Sequence, residues 1–277
     1  MTTDEPAAVR PSLTEPYPLS AADSDAYRSD GMAVIRGLAS REEVEAYRPL
    51  IGAAVHRLNT EDRPLDQRTT YRRAFLQVPN LWRRAPSVAP FVLSPRFGGV
   101  AAGLMGVSGV RIYHDQALFK EPGGGYTPWH QDQVYWPLDS PNTITMWMPL
   151  VDVPQGMEFI VGSHKSGDLG GSSLLISDAS EQHFDDMIAQ MDLKRRQVGP
   201  LKAGDATFHA GWVAHRAAGN PTERMREVMT VIYFEDGIHV GGQLSQARRR
   251  DLETWLPGLG DGDLAATELN PLVFRRE

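Results

Sequence analysis

The first hundred residues show apolar positions at helical spacing, separated by irregular connections. In the segment 40–58, SREEVEAYRPLIGAAVHRL, Ser40 is a favourable N-cap and acidic residues follow it in the first turn. The apolar positions of this segment recur three or four residues apart and predict a helix: Val44, Tyr47, Leu50, Ile51 and Val55. The segment 93–106, LSPRFGGVAAGLMG, predicts a second helix that ends at Gly106, whereas 67–82 is too mixed to assign.

From residue 110 onward the pattern changes to short β-prone segments separated by Gly, Pro, Asn and Asp. These segments are RIYHDQALFK, TITMWMPLVDV, MEFIVGSH, DATFHAGWVAHRAA and REVMTVIYFED. One further helix is predicted at 180–191, SEQHFDDMIAQM. Many short strands with turn signals are typical of a barrel or a jelly roll, because closure removes exposed strand edges. The pattern therefore predicts a mainly β fold with helical N-terminal packing elements.

The chain reads as one unit rather than two. Residues 1–18, which begin MTTDEPAAVRPSLTEP, are predicted to form a flexible polar tail, and residues 19–277 a single domain. The N-terminus lacks a basic segment followed by an apolar one, so no signal peptide is expected. No uninterrupted run of about 18 apolar residues occurs, so no transmembrane helix is expected.

Composition narrows the functional classes. The absence of cysteine excludes disulfides and cysteine metal sites, and it is compatible with the cytoplasmic location that we expect. The net charge of −7 argues against general affinity for nucleic acid or an anionic membrane. The basic run at 248–250 is interpreted as a solvated helix face. Composition does not predict the oligomeric state.

The stretch TPWHQDQVYWPLD, residues 127–139, carries the first candidate chemistry. On a strand, His130 and Asp132 would point to the same face because they lie two residues apart. A metal site of this type needs a third ligand, and His215 in GWVAHRAAGN is the best candidate. Two histidines and one carboxylate on one face of a metal suit non-haem Fe(II), because the opposite positions stay open.

An arginine downstream of His215 adds to this set. Arg226 follows His215 by eleven residues in a strand-like segment, and its guanidinium could bind a dicarboxylate co-substrate through two parallel hydrogen bonds. Arg224 has the same strand parity, so spacing alone does not choose between them; Arg226 is preferred because it leads directly into the apolar run VMTVIYF. The remaining histidines receive structural interpretations: turns or strand contacts for His209 and His164, and helix surfaces for His56 and His183.

Together these motifs resemble the phytanoyl-CoA dioxygenase family of Fe(II)- and 2-oxoglutarate-dependent oxygenases, over about residues 27–233. The resemblance rests on LFKEPGGGYTPWHQD (118–132), TITMWMPLVDV (143–153), VGSHKSG (161–167) and AGDATFHAGWVAHRAAGN (203–220), with Arg226 beyond them. It implies a double-stranded β-helix, the jelly roll of cupin-like proteins. Fe(II), 2-oxoglutarate and O2 are the implied cofactor and co-substrates.

The resemblance also implies roles for individual residues. His130, Asp132 and His215 would be the iron ligands, and Arg226 would bind the distal carboxylate of 2-oxoglutarate. Lys120 and Trp147 match positions that contact or border this co-substrate in the family. The position two after the second histidine, often serine in the family, is Ala217 here and is left out of the site.

The resemblance implies oxidation of a substrate with release of succinate and CO2. Because Asp132 is present, where related halogenases have a small residue, halogenation is disfavoured and hydroxylation is the default hypothesis. Epimerisation, desaturation and cyclisation stay open, since they differ in substrate placement rather than in ligand set. A cupin-like metal-binding protein without catalysis is the alternative from another class.

The substrate is the least constrained part of the prediction. Tyr135, Trp136 and Trp212 could line the mouth of the barrel, and Gln77 could close over it. Packing roles are equally compatible with these aromatic residues. No basic cluster near the motif suggests a CoA pocket, so a free small molecule, either a natural-product intermediate or another metabolite, is expected.

Overall fold

The computed structural model describes residues 10–171 and 174–277, which include two antiparallel sheets and eight helices. The helices are α1 (Ala21–Asp30), α2 (Arg41–Leu58), α3 (Thr70–Ala74), α4 (Leu81–Arg84), α5 (Ala89–Val92), α6 (Pro95–Met105), α7 (Asp178–Met191) and α8 (Gln246–Trp255). The strands are β1 (Met32–Ile35), β2 (Leu76–Pro79), β3 (Gly109–Phe119), β4 (Thr127–His130), β5 (Thr143–Pro149), β6 (Met157–Ile160), β7 (Arg195–Gln197), β8 (Ala206–Ala210), β9 (His215–Ala217), β10 (Val228–Glu235) and β11 (Leu272–Arg275).

The strands form the two sheets of a jelly roll. The major sheet has the order β1-β8-β5-β10-β3-β11, with β2 also paired to β3, and the minor sheet has the order β4-β9-β6-β7. Neighbours in these sheets are distant in sequence, so the sheets form only when the whole domain folds. The predicted mainly β jelly roll with helical packing elements is confirmed.

The major sheet is covered on both faces, and strand alternation separates the two environments. On β5, Ile144, Met146 and Met148 belong to the apolar cluster that packs against the N-terminal helices. Trp147, on the other face, packs with Phe159 of the minor sheet. The space between the sheets therefore receives every second residue of β5, and this is the face on which a site can form.

Local capping explains why three helices were predictable. Ser40 and Ser177 form capping boxes at the starts of α2 and α7, and Ser94 caps α6. Helix α6 ends at Gly106, whose φ of 73° is the left-handed conformation that glycine adopts readily. The three predicted helices are confirmed. The unassigned segment 67–82 contains α3, β2 and the start of α4.

The predicted flexible tail is wrong in its second half. Residues 1–9 lie outside the described residues, but from Arg10 onward the chain packs on the domain. Leu13 is buried in the core, and its carbonyl accepts a hydrogen bond of 2.8 Å from Ser94 Oγ. The Tyr17 hydroxyl donates to the carbonyl of Arg36. Most residues of this segment are polar, so its composition did not predict that Leu13 would be buried in the core.

Among the described residues, one segment, Pro86–Met105, is long and apolar enough by length and composition alone to cross a membrane, with a mean hydropathy of 1.3 over its most apolar window of 18 residues. The absence of an uninterrupted apolar run did not exclude such a segment. It comprises a 3-10 turn followed by α5 and α6, and 56% of its most apolar window is buried inside the domain. Phe91, Val92 and Phe97 belong to the core, which accounts for its apolar character.

We predict that Leu13→Ala lowers the free energy of unfolding by about 2 kcal/mol or more, because it leaves a cavity beside α6. Chemical denaturation of both proteins measures this difference. Glu15→Ala, which changes an exposed side chain in the same segment, is the control and should leave stability within about 0.5 kcal/mol of the parent. Equal stability of Leu13→Ala and the parent would show that the segment does not belong to the core.

Candidate active site

His130 and Asp132 reach the same space, although the strand that was expected to carry both is shorter. Strand β4 ends at His130, and Asp132 is the first residue of a 3-10 turn, Asp132–Val134. The intervening Gln131 keeps an extended backbone, with φ −119° and ψ 130°. The alternation of side chains therefore continues for one residue beyond the strand. This brings the carboxylate to the same side as the imidazole.

The third predicted ligand is brought in by sheet pairing. Strands β4 and β9 are antiparallel neighbours, and their register places His130 opposite His215. The two imidazole centroids lie 4.1 Å apart. Nε2 of His130 and Nε2 of His215 lie 3.5 and 3.9 Å from Asp132 Oδ1. One ligand atom from each of the three residues lies within 4.8 Å of the other two, which is a spacing that one metal ion can bridge.

Hydrogen bonds on the far side of each ring orient these candidate ligands. His130 Nδ1 donates to the carbonyl of Pro128 at 2.8 Å, and His215 Nδ1 donates to that of Val213 at 3.1 Å. With Nδ1 protonated, each Nε2 presents a lone pair toward Asp132. Thr145 Oγ1 donates to Asp132 Oδ2 at 3.0 Å. Such outer contacts fix the tautomer and the orientation of metal ligands.

The electrostatics of the cluster favour metal binding. Burial, with smaller effects of His130 and His209, holds the pKa of His215 well below its usual range. A neutral imidazole is the form that binds a metal. Burial opposes ionisation of Asp132, but the surrounding histidines outweigh it and hold the pKa of this carboxyl well below its usual range.

His209 lies on a paired strand, in line with the predicted strand contact, and it also approaches the candidate metal ligands. His209 lies on β8 and is only 1% exposed, but its ring faces the cluster, with Nε2 3.4 Å from Asp132 Oδ2. Neither of its ring nitrogens makes a well-aligned hydrogen bond within the described residues. The β-prone segment that contains Thr207 and His209 predicted a strand, but it did not show which face of that strand points into the protein. Only the pairing of β8 with β1 and β5 decides that.

The two candidate arginines, Arg224 and Arg226, differ in their exposure to solvent. Arg226 lies against the same cavity as the cluster, whereas Arg224 is exposed in the preceding turn. Arg226 Nη1 donates to the carbonyl of Ala218 at 3.1 Å, and its Nε is buried without a hydrogen-bond partner within the described residues. Burial lowers the pKa of Arg226 to about 10. A guanidinium with an unused buried N–H group is ready to bind an anion.

Lys120 and Trp147 lie beside Arg226. The backbones of Lys120 and Arg226 form an isolated antiparallel bridge, and the Lys120 side chain is fully buried. Lys120 Nζ donates to the carbonyl of Gly125, and it lies 3.4 Å from Thr127 Oγ1. The Arg226 guanidinium lies 5.9 Å from the centre of the Trp147 ring. Arg226 and Trp147 therefore line the cavity, whereas Lys120 lies buried behind its wall.

The cavity has a volume of about 510 Å³ and includes three of the four predicted substrate residues in its wall: Gln77, Tyr135 and Trp136. The Gln77 side chain accepts a hydrogen bond from the Tyr71 hydroxyl at 3.1 Å and donates one to Gln116 at 2.6 Å. The Tyr135 hydroxyl accepts a hydrogen bond from the backbone N–H of Ile176. These residues are held in place before any ligand binds.

Trp212 does not line this cavity, contrary to expectation. It lies in the turn after β8, beyond the strand that carries His209 inward, and its carbonyl accepts a hydrogen bond from the Gln131 side chain at 2.6 Å. His164 is held at the carbonyl of Arg28, as its structural interpretation requires. His56 is exposed on α2, and His183 is half-buried on α7.

The outer wall of the cavity contains residues that the sequence did not indicate: Tyr71, His114, Asp251 and Trp255. Asp251 and Trp255 belong to α8, the helix that carries the basic run 248–250. That run is helical as predicted, but only part of it is solvated. Arg248 is half-buried and donates to the carbonyls of Gln133 and Val134, each at 3.3 Å.

Comparison with known families agrees with this geometry. The sequence model of phytanoyl-CoA dioxygenase (PhyH) matches residues 27–228, which is most of the chain. The chain belongs to the phytanoyl-CoA dioxygenase family. Comparison with curated proteins finds no significant match in sequence. The matched residues end at β10, so α8 and its contribution to the cavity lie outside the family match.

Solved structures of related fold are enzymes dependent on alpha ketoglutarate, which is 2-oxoglutarate. The non-heme alpha ketoglutarate dependent carbocyclase SnoK from nogalamycin biosynthesis is 26% identical, with a TM-score of 0.74 over 93% of this chain and 99% of SnoK. The epimerase SnoN, in complex with Fe3+, alpha ketoglutarate and nogalamycin RO, is 24% identical, with a TM-score of 0.74 over 91% of this chain and 97% of SnoN. EctD from S. alaskensis, with 2-oxoglutarate and 5-hydroxyectoine, is 17% identical, with a TM-score of 0.62 over 94% of this chain and 93% of EctD.

We predict that His215→Ala weakens binding of a divalent metal ion by more than the roughly 10- to 100-fold loss typical of an outer contact, because a direct ligand is removed. Titration with Mn(II), followed by electron paramagnetic resonance, measures the affinity. His56→Ala, which removes an exposed histidine, is the matched control and should bind as the parent does. Equal affinity of His215→Ala and the parent would exclude His215 as a ligand.

Proposed function

We propose that this protein is a non-haem Fe(II)- and 2-oxoglutarate-dependent dioxygenase that hydroxylates a small-molecule natural product or metabolite and releases succinate and CO2. One observation carries the proposal. The cluster of His130, Asp132 and His215 shares one cavity with Arg226, whose buried Nε has no hydrogen-bond partner within the described residues. A metal site and an anion site in one cavity are what this chemistry requires.

The residues present fit the cofactor. Two neutral imidazoles and one carboxylate are the donor set of facial non-haem iron sites, and they leave the remaining positions for other ligands. His130, Asp132 and His215 would hold the iron. Thr145 and His209 would orient the second carboxylate oxygen of Asp132. This atom, Oδ2, lies 3.0 Å from Oγ1 of Thr145 and 3.4 Å from Nε2 of His209. When bound, iron and 2-oxoglutarate supply, with dioxygen, the oxidising power to break a substrate C–H bond.

The positive end of the cavity fits 2-oxoglutarate. Arg226 would bind the distal carboxylate, Lys120 would add a second positive charge behind it, and Trp147 would border the carbon chain. Within the described residues neither cation forms an ion pair with an acidic side chain. A guanidinium without an acidic partner is costly to bury, and the distal carboxylate of 2-oxoglutarate would relieve that cost and favour the charged form of Lys120.

The chain's own contribution to the reaction is orientation and exclusion of water. Gln77, Tyr135 and Trp136 line the cavity on the outer side of the metal cluster and would contact the substrate. Packing already fixes these side chains, so the substrate would meet a preformed surface. The wall is partly polar and partly aromatic, which suits a functionalised organic molecule rather than a simple alkyl chain.

Cyclisation or epimerisation is the second candidate reaction. It is supported by SnoK, a carbocyclase that is 26% identical over nearly its whole length. The same set of ligands serves all of these reactions, and the outcome depends on which substrate atom lies beside the oxidised carbon. Hydroxylation is the default because Asp132 occupies the position at which a halogenase would have a small residue.

The chelate of Fe(II) and 2-oxoglutarate absorbs visible light, and this absorption band reports binding of the co-substrate. We expect the band with the wild-type protein under anaerobic conditions. Arg226→Met should raise the 2-oxoglutarate concentration that gives half of the full absorption band by about 10- to 100-fold. The reason is that the guanidinium that pairs with the co-substrate carboxylate is lost. Arg224→Met removes an exposed arginine two residues away and should leave the titration unchanged. Absence of the band in the wild type, with iron bound, would overturn the proposed function.

The reaction class is tested on any compound that accelerates succinate release. With 18O2, a hydroxylase yields a product that is heavier by one labelled oxygen atom. A product formed with succinate but without added oxygen would instead establish cyclisation, epimerisation or desaturation.

Binding of 2-oxoglutarate should depend on pH through Lys120. Burial, together with the charge of Arg226, lowers the pKa of Lys120 to about 6. A bound carboxylate would raise this pKa, so binding takes up a proton, and affinity for 2-oxoglutarate should fall as the pH rises above about 6, by up to about tenfold per unit. Calorimetry of the metal-saturated protein, in buffers of different ionisation enthalpy, measures the uptake. Lys120→Met should lose this uptake; unchanged uptake would exclude Lys120 as its source.

A further inference from the structure

The outer end of the cavity has a chemistry that the oxidation reaction does not explain. Asp251 and Trp255 lie four residues apart on α8, so they share one face of the helix, and both line the cavity. The Trp255 ring stacks on His114 of β3, with centroids 4.3 Å apart and an angle of 29° between the rings. This contact ties α8 to the major sheet and fixes the position of Asp251.

Asp251 forms no ion pair within the described residues, and burial raises its pKa more than the charge of Arg250 lowers it. Its Oδ2 accepts a hydrogen bond from the Tyr113 hydroxyl at 3.1 Å, and within residues 10–171 and 174–277 no cationic side chain pairs with it. Arg248, one turn earlier on the same helix, is directed to backbone carbonyls instead. Burial raises the pKa of Asp251 to about 7. An unpaired carboxylate in a half-buried position is costly unless a ligand supplies the missing charge.

The surroundings of Asp251 are aromatic. Tyr71, Tyr135, Trp136 and Trp255 line the same cavity as Asp251, and the last three belong to one apolar cluster. Aromatic faces attract cations and offer little to anions. His114 adds an acceptor: its Nδ1 faces the Asp115 carbonyl at 3.4 Å, which leaves Nε2 with a lone pair. A carboxylate, aromatic rings and a neutral imidazole together select a group that is both positively charged and a hydrogen-bond donor.

Asp251 and Asp132 line the same cavity, together with Tyr71 and Tyr135. Burial raises the pKa values of both tyrosines, and the two carboxylates act in the same direction. A molecule that contacts Asp251 can therefore extend through this cavity toward Asp132.

We propose that the outer end of the cavity binds a protonated aliphatic amine of the substrate, with Asp251 as its ionic partner and the Trp255 and Tyr135 rings as its aromatic contacts. The assignment of this cavity to a substrate rests on the proposed function. The substrate class is then an amine-bearing small molecule, anchored at α8, whose oxidised carbon lies at the metal cluster. Helix α8 follows the residues that the family model matches, so the anchor lies outside that match.

Two probes that differ in a single group test the proposal. Tyramine carries an ammonium where tyrosol carries a hydroxyl, and the rest of the two molecules is the same. Ligand-observed nuclear magnetic resonance measures their dissociation constants for the protein loaded with Zn(II) and 2-oxoglutarate. We expect tyramine to bind the wild-type protein about tenfold more tightly than tyrosol, and Asp251→Asn to remove this preference.

The control variant is Glu253→Gln, which removes one negative charge from an exposed position of the same helix and should retain the preference. Circular dichroism shows whether Asp251→Asn is folded, and Asp251→Ser is the second variant if it is not. Equal binding of the two probes to the wild type, or a preference for tyramine that persists without Asp251, would overturn the proposal.

The outcome is separable from that of the proposed function. The Fe(II) and 2-oxoglutarate chelate band requires no amine, and the preference for tyramine requires no iron. A chelate band without a preference for tyramine would overturn the amine site alone. A preference for tyramine without a chelate band would overturn the oxygenase and leave a cavity that binds amines.

Discussion

The antiparallel pairing of β4 with β9 is the constraint on which the site depends. It places His130 opposite His215, two residues separated by most of the β-rich part of the sequence. One extended residue beyond β4 brings Asp132 to the same side. A slip of this register by one residue would turn one histidine away from the other. The surrounding jelly roll, with its core on the helical face of the major sheet, holds that register.

The cavity contains polar groups that the protein leaves unpaired. The ring nitrogens of His209 and the Nε of Arg226 are buried without well-aligned partners in the described part of the chain. Asp251, at the other end, has a hydroxyl partner but no cation. Each such group costs stability, and proteins retain this cost mainly where a ligand compensates for it. The cavity thus combines a guanidinium, the cluster of His130, Asp132 and His215, and an acidic side chain among aromatic rings.

This polarity bears on the choice among reactions. A carbocyclase and an epimerase share the fold, so the cluster of His130, Asp132 and His215 by itself does not distinguish the outcome. The residues that hold the substrate decide which carbon comes beside the metal. In this chain the residues that line the cavity away from the sheets come from the helical N-terminal part, through Tyr71 and Gln77, and from α8, through Asp251 and Trp255. Under the proposed function, these residues would select the substrate.

Local sequence determined what depends on neighbouring residues and on residue chemistry. The caps of α2 and α6 and the alternation of the strands identified the elements, and the His130, Asp132 and His215 set identified the chemistry. These inferences needed no knowledge of distant contacts, because periodicity, capping and metal preference are local properties.

Tertiary structure decided which side of each element faces the cavity. Arg224 and Arg226 have the same strand parity, and only the packing around Lys120 buries one of them and exposes the other. His209 faces inward, and Trp212 lies outside the cavity wall, because strand pairing and the turn after β8 fix their positions. Asp251 carries no motif, and its role as a wall of the cavity exists only because α8 packs against β3. Burial and long-range pairing, which no short segment encodes, made these choices.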